Sequence, residues 1–445
     1  MSISLHSPFA AMTERAHGDR ASGYDVAVVG GGMAGCVAAI AAARAGSKVL
    51  IIEQNAFFGG AATAGVVGQF VGWSTRSGRK VIAGLAEEIV DRLQSIGGCG
   101  RIEDFTMSTG HSMNRVQFDP ELLKITLDEI VTEAGVDVLF KSVLTGCETA
   151  DGAVQSIVVW SAGKILSIRA TAFVDASGDM ALLKSSGAAF LELGEGEALQ
   201  PATMMFAMAP IDFEKLDAVS EKERKLIVKR GLDGGALPRA ALHYSRAPGT
   251  NEAWFNISRV NVEPDDPFSL SNGEIEGRSQ VMRIASFLKA NLPGCANARL
   301  SSMAPQLGIR DTRRVEGDYV ITADDLRQAR DFPDVVACGA YPIDIHHAGS
   351  PDLTFEEFGP DHHYRIPFRA LLPANLANVA AAGRGISADH DAFAALRVMP
   401  TAMAVGEAAG TAAAMASTRT QGVIRAIDVG ELQETLHRQG AYLGT

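Results

Sequence analysis

The chain has 445 residues, 47% hydrophobic and 21% charged, enough for a sizeable core shared among two or three structural units. Its net charge of −12 argues against a general nucleic-acid or anionic-membrane binder, since both need a basic face. Five scattered cysteines (Cys36, Cys99, Cys147, Cys295 and Cys338), with no C-x-x-C pair, speak against a redox dithiol or a zinc ribbon and point to a reducing, cytoplasmic compartment.

Residues 1–23 lack a long apolar core behind a basic start, so they read as a loose arm rather than a signal peptide or anchor. No uninterrupted apolar run reaches the length of a membrane span. From Tyr24 to Gln54 the chain spells a β-α-β unit. Val26–Val29 form a wholly apolar run, as in a strand buried on both faces of a parallel sheet. Gly30, Gly32 and Gly35 follow with G-x-G-x-x-G spacing: the first for a tight turn, the second for approach of a pyrophosphate to bare backbone, the third for close packing of helix on strand. An alanine-rich helix is predicted from Met33 to Ala45, with Gly46 at its C-terminal cap. The strand Val49–Ile52 then ends on Glu53, where a carboxylate can accept both ribose hydroxyls and would repel a 2′-phosphate. FAD or NAD is expected there rather than NADP.

Further on, FFGGAATAG makes a second glycine-rich turn, and Phe118 to Gly135 reads as a helix. A hairpin turns at Asp151-Gly152, and Ala170 to Asp179 is a buried strand ending in small residues. From about Leu191 to Asp331 charged helices and an extended WFNISRV segment change the texture. VVACGAY, NVAAAGRGI and a helix over PTAMAVGEAAGTAAAMAS then restore that of the beginning.

The glycine fingerprint with Glu53, the Gly59-Gly60-x-x-Thr63 turn, VDASGD, LGIRDTRRVEGDYVITADDL from Leu307 and AAGRGISADHDAFAALRVMPTAMAVGEAAG from Ala381 together resemble the FAD-dependent oxidoreductases of the glutathione-reductase-like class. The resemblance covers nearly the whole chain after residue 23 and selects FAD over NAD. It implies an α/β fold: a discontinuous Rossmann-like FAD domain of β-β-α three-layer type, residues 24–190 and 332–445, interrupted by an α+β substrate domain at 191–331. It also implies that Gly30, Gly32 and Gly35 face the pyrophosphate, Glu53 the adenosine ribose, and that Gly60 and Thr63 complete the phosphate shell. Val143 would offer backbone to the adenine. Asp179 would lie near the pyrophosphate or ribityl chain, with Gly383 and Arg384 opening the second flavin motif. Arg384 would meet phosphate or form a salt bridge. Arg397, Val398 and Met399 would present N–H groups to the pyrimidine edge of the flavin. Met33, Ala34, Gln54, Ala61, Ala176 and Gly178 belong to the same implied shell.

The chain has no second G-x-G-x-x-G for a pyridine nucleotide, and Gly383-Arg384-Gly385 stands where aromatic monooxygenases carry a G-D-A-A-H type motif. The expected reaction is dehydrogenation or oxidation of a small organic substrate by hydride transfer to flavin. The electron acceptor and the oligomeric state stay open. A monooxygenase, a non-redox isomerase or hydratase, and a tRNA-modifying flavoprotein are the alternatives. His346 and His347, in a predicted loop, are the candidate proton acceptors, with His362, His363 and His390 competing. Arg310, with Arg313 or Arg314 on one helical face, would clamp a substrate carboxylate or else join an ion-pair network. Arg397 completes the catalytic candidates. No metal site is expected, since Asp344, His346, His347 and Asp352 match no zinc spacing.

Overall fold

The computed structural model describes residues 23–106 and 112–444; the expected N-terminal arm lies outside them except for Gly23. The α/β core is built on a five-stranded parallel sheet in the order Val379–Ala381, Ala170–Asp175, Tyr24–Val29, Val49–Ile52, Asp137–Leu139. The strand Tyr24–Val29 is central, and Val26, Ala27 and Val28 are wholly buried, as an apolar run without alternation demands. The first helix runs Met33–Arg44 and stops where Gly46 takes a φ of 94°.

That helix is buried from Met33 to Ala42 on all sides because a second alanine-rich helix, Met399–Arg419, covers the face turned away from the sheet. Ala34 lies opposite Gly406 and Ala38 opposite Gly410. A Cβ at either glycine would come within 2.2 Å and 2.0 Å of the facing carbonyl oxygen. The two helices therefore run parallel with their backbones in contact. Met399 precedes its contact residue by seven positions and Met33 by one, so the second helix starts about 9 Å before the first, back along the shared direction.

The hairpin expected at Asp151-Gly152 is present, joining Ser142–Ala150 to Ala153–Ser161, with both turn residues at positive φ. The helix expected after Phe118 runs Pro120–Glu133 and is capped by the Asp119 carboxylate, which accepts from the Glu121 and Leu122 N–H groups.

The middle of the chain, Ala202 to Leu307, builds a second hydrophobic core into which Val66 also reaches. A four-stranded antiparallel sheet, Tyr244–Arg246, Ala253–Phe255, Phe206–Ala209 and Arg299–Met303 in that order, is covered by the long helix Pro267–Asn291. Phe206 and Phe255 stack at 5.4 Å on its inner face. From Val315 onward the chain packs again in the first core.

Two elements differ from the sequence reading. Residues 308–314 are not helical, so Arg310, Arg313 and Arg314 share no helical face: the segment links the two cores without regular structure, tied at its start by paired hydrogen bonds between Gly308 and Thr203. His346 is not in a loop but ends the strand Ile343–His346, paired antiparallel with Leu353–Glu356.

Candidate active site

A cleft of about 540 Å³ opens between the glycine turns and the second core, a volume in the usual range for small-molecule sites. At one end, Gly30 holds a φ of 99°, and a Cβ there would strike the Ala176–Ser177 backbone at 2.5–2.7 Å. A Cβ at Gly35 would sit 1.9 Å from the Gly30 carbonyl oxygen, so the helix packs directly on its own turn. Gly32 is different. Its φ is an ordinary −68°, and the nearest atom to an added Cβ is the Gly60 α-carbon at 4.0 Å. Among the described residues nothing requires glycine there, and the space belongs to the cleft. The helix behind it has no side-chain cap, so the N–H groups of its first turn are free to bind an anion.

Glu53 is 5% exposed and fixes the turn from below: Gly31 N–H donates to Oε2 at 2.7 Å, while Asn55 donates its backbone N–H and its side-chain amide to Oε1 at 2.7 and 2.8 Å. Four lone-pair positions leave room for ribose hydroxyls as well. Across the cleft, buried Asp175 shapes the VDASGD turn by accepting from Ser177 N–H and Oγ and from Leu183 N–H. The uncapped start of Met399–Arg419 lines the cleft further along.

An open glycine cradle, a bare helix N-terminus and a carboxylate beneath the turn are what a dinucleotide with a pyrophosphate and a ribose diol requires. Residues 25–436 match the family described as FAD dependent oxidoreductase. The chain belongs to the FAD-dependent oxidoreductases. It is an enzyme, FAD is its cofactor, and its parallel sheet is the Rossmann-like sheet of an FAD-binding fold. No curated protein sequence matches it. Among solved structures it is similar to a geranylgeranyl bacteriochlorophyll reductase-like protein from Thermoplasma acidophilum at 14% identity, over 94% of this chain and 84% of that one, with a TM-score of 0.47. It is similar also to the flavin-dependent brominase Bmp2 (14%, 93% and 83%, TM-score 0.47) and to p-nitrophenol 4-monooxygenase from Pseudomonas putida (13%, 94% and 83%, TM-score 0.46).

In this FAD-dependent oxidoreductase, the cleft is lined by Gly30, Gly32, Met33, Ala34, Glu53, Gln54, Gly60, Ala61, Ala176, Gly178, Asp179, Gly383, Arg384, Arg397, Val398 and Met399. Three residues expected in the cofactor shell are placed elsewhere. Gly35 packs behind the turn. Thr63 is buried beneath it, donating to the Phe58 carbonyl at 2.5 Å. Val143 lies outside the cleft lining, 41% exposed on the hairpin opposite Trp160. Arg384 takes the salt-bridge option: Nη2 meets Asp179 Oδ1 at 2.5 Å, Nε donates to the Gly178 carbonyl, and Nη1 to the Ile309 carbonyl.

Of the catalytic candidates, His346, Arg310 and Arg397 line the cleft and His347 does not. His347 is exposed and its Nε2 bonds Thr354 Oγ1 at 2.8 Å. His346 is 7% exposed, and its Nε2 stands 3.4 Å from Asp344 Oδ2. Burial pushes His346 down to about 3, beyond what Asp344 restores, so the imidazole is neutral near pH 7. Burial alone would raise Asp344, but His346, Arg397 and Arg239 reverse this and hold its carboxyl well below the usual range. Tyr341 donates to the same Oδ2 at 3.0 Å. Arg397 Nη2 donates to the Asp344 carbonyl at 2.9 Å and to Gln200 Oε1 at 3.3 Å, and Gln200 Oε1 also receives the His346 N–H. Asp344 Oδ1 is buried with no hydrogen-bond partner among the described residues.

Arg310 reaches in from the connection between the two cores, donating to the Pro201 carbonyl at 2.7 Å, Thr203 Oγ1 at 2.6 Å and Asn256 Oδ1 at 3.1 Å. Arg313 and Arg314 turn elsewhere: Arg313 pairs with Asp265, and Arg314 lies 5.6 Å from the Phe393 ring centroid. Arg239, His243 and Asn256 also line the cleft and were not singled out from the sequence; Tyr341 and Asp344 line it too, Asp344 having been weighed there only as a metal ligand. One signal was available: in IDIH, Asp344 and His346 stand two apart, on one face of a strand. Arg239, His243 and Asn256 carry no comparable local pattern.

Proposed function

We propose that this oxidoreductase is a dehydrogenase or oxidase that moves a hydride between a small, carboxylate-bearing organic substrate and FAD. The observation that carries the reading is a neutral His346 held against an ionised Asp344 in a cleft that also contains Arg310. FAD, when bound, supplies the acceptor for the hydride.

The residues do the rest. Gly32 with the first turn of Met33–Arg44 would hold the pyrophosphate, and Glu53 the ribose. Val398 and Met399, at a helix start that projects about 9 Å beyond that of Met33–Arg44, would present the positive end of their dipole to the ring. Arg310 would grip the substrate carboxylate, fixed for that task by three hydrogen bonds. His346 would take the companion proton, from the substrate's O–H or N–H or from the adjacent carbon, as the C–H hydrogen leaves as hydride, and Asp344 would orient its ring and stabilise the imidazolium so formed. Arg397 and Gln200 act as positioning residues for that pair. We further propose two bodies: an FAD body from residues 24–190 and 332–445, and a substrate body at 191–331. The chemistry would lie at their junction.

All five cysteine thiols are raised by burial, so none offers a thiolate for a tRNA-modifying reaction. The five free thiols also favour a reducing, cytoplasmic setting. Among the described residues no helix is long and apolar enough to cross a membrane.

Anaerobic mixing of the yellow protein with small hydroxy acids, amino acids and enoates, each beside its neutral amide, tests the reading. Acids should bleach the visible flavin band and amides should not. Bleaching by NAD(P)H alone would favour the monooxygenase alternative.

A further inference from the structure

The second core brings two arginines to the cleft, and neither has an acid partner among the described residues. Arg239 is 4% exposed, yet among the described residues only Nη1 of its five N–H donors finds an acceptor, the Asn256 carbonyl at 3.3 Å. Arg310 holds the side-chain oxygen of the same Asn256. The two guanidinium groups thus flank one residue. Among the described residues no carboxylate comes within salt-bridge distance of either, and the nearby Asp344 is already matched by Arg397 at 3.8 Å. Burial lowers both arginines, Arg239 to about 10 and Arg310 to about 9, so both stay charged at neutral pH. His243, on the same wall, is pushed down to about 3 by burial and by Arg239, and adds no charge.

Two buried cations without counter-ions are costly in an empty cleft and become favourable when a ligand supplies the missing charge. A monocarboxylate on Arg310 would leave Arg239 unmatched. We infer that the substrate is a small dicarboxylate, with one carboxylate on Arg310 and the second on the free donors of Arg239. This rests on the proposed oxidation of a carboxylate-bearing substrate and narrows it to a dianion. Guanidinium forks suit carboxylates because two parallel N–H groups match two oxygens.

The experiment is a binding titration of the FAD-loaded enzyme, followed by the visible flavin spectrum and by calorimetry. Malonate, succinate and glutarate are compared with propionate, butyrate and valerate at fixed ionic strength. At least one diacid is expected to bind tenfold or more tighter than the monoacid of equal carbon number. Arg239→Gln should reduce the diacid to the affinity of the monoacid while FAD content stays at the parental level, and Arg239→Lys should keep part of the preference. Equal binding of diacids and monoacids by the unsubstituted enzyme overturns the dianion and leaves the carboxylate reading standing. Binding of neither class overturns both. Loss of FAD from a folded Arg239→Gln protein would assign the arginine to the cofactor and also overturn the inference.

Discussion

The Gly410 α-carbon lies so close to the Ala38 carbonyl that a Cβ at residue 410 would sit 2.0 Å from that oxygen. With Gly406 against Ala34, this contact sets the stagger of the two helices whose N-termini both reach the cleft. Gly410→Val should therefore force the helices apart against backbone that cannot repack. The expected cost is about 3 kcal/mol, at the upper end of core overpacking. Thermal unfolding should show a lowered midpoint, and the soluble fraction should carry less FAD. Parental stability and FAD content together would show that the helices do not need this contact.

Glu407 sits on the same helix, 1% exposed, with only Oε2 engaged, accepting from Leu85 N–H at 3.1 Å. Burial raises its carboxyl from 4.5 to about 7. Between those values the folded state keeps a proton that the unfolded chain has lost, so folding stability falls as pH rises through that window. The full effect is on the order of 3 kcal/mol. Glu407→Gln should thus unfold at a higher denaturant concentration than the parent at pH 8 and close to it at pH 5. A difference that does not vary with pH would place the titration elsewhere.

If His346 accepts the substrate proton and Asp344 orients it, His346→Gln should slow anaerobic flavin reduction by about a hundred- to ten-thousand-fold. FAD content should not change. Asp344→Asn should slow the same step, and His347→Gln should not. Because His346 is pushed down to about 3, kcat/KM of the unsubstituted enzyme should show no loss from protonation of this base between pH 8 and pH 5. Parental reduction by His346→Gln would move the role to Tyr341 or to water.

The nucleotide end of the cleft was legible because its parts are contiguous: strand, glycines, helix, strand and Glu53 fall within about thirty residues, and each local preference agrees with the fold. The substrate end was not. Arg239, Asn256, Arg310 and Asp344 come from separate segments that only the second core and the strand Ile343–His346 bring together. Helical periodicity misread residues 310–314, which form no helix: the backbone leaves Gly308 paired with Thr203 and enters the bridge of Val315 with Phe190. Arg384 was legible as a cleft residue, but not its partner, since Asp179 lies 205 positions earlier.

On the proposed placement of the cofactor, Gly32 is glycine for the sake of the FAD pyrophosphate and Gly35 for the sake of the fold. FAD content and circular dichroism of freshly purified Gly32→Val, set beside the parent and Gly35→Val, test it most directly. Gly32→Val is expected to be folded and colourless, since its side chain enters the open cleft rather than protein, while Gly35→Val, 1.9 Å from the Gly30 carbonyl oxygen at Cβ, should lose structure as well as colour. A folded Gly32→Val protein that retains FAD at parental occupancy would contradict the placement of the cofactor.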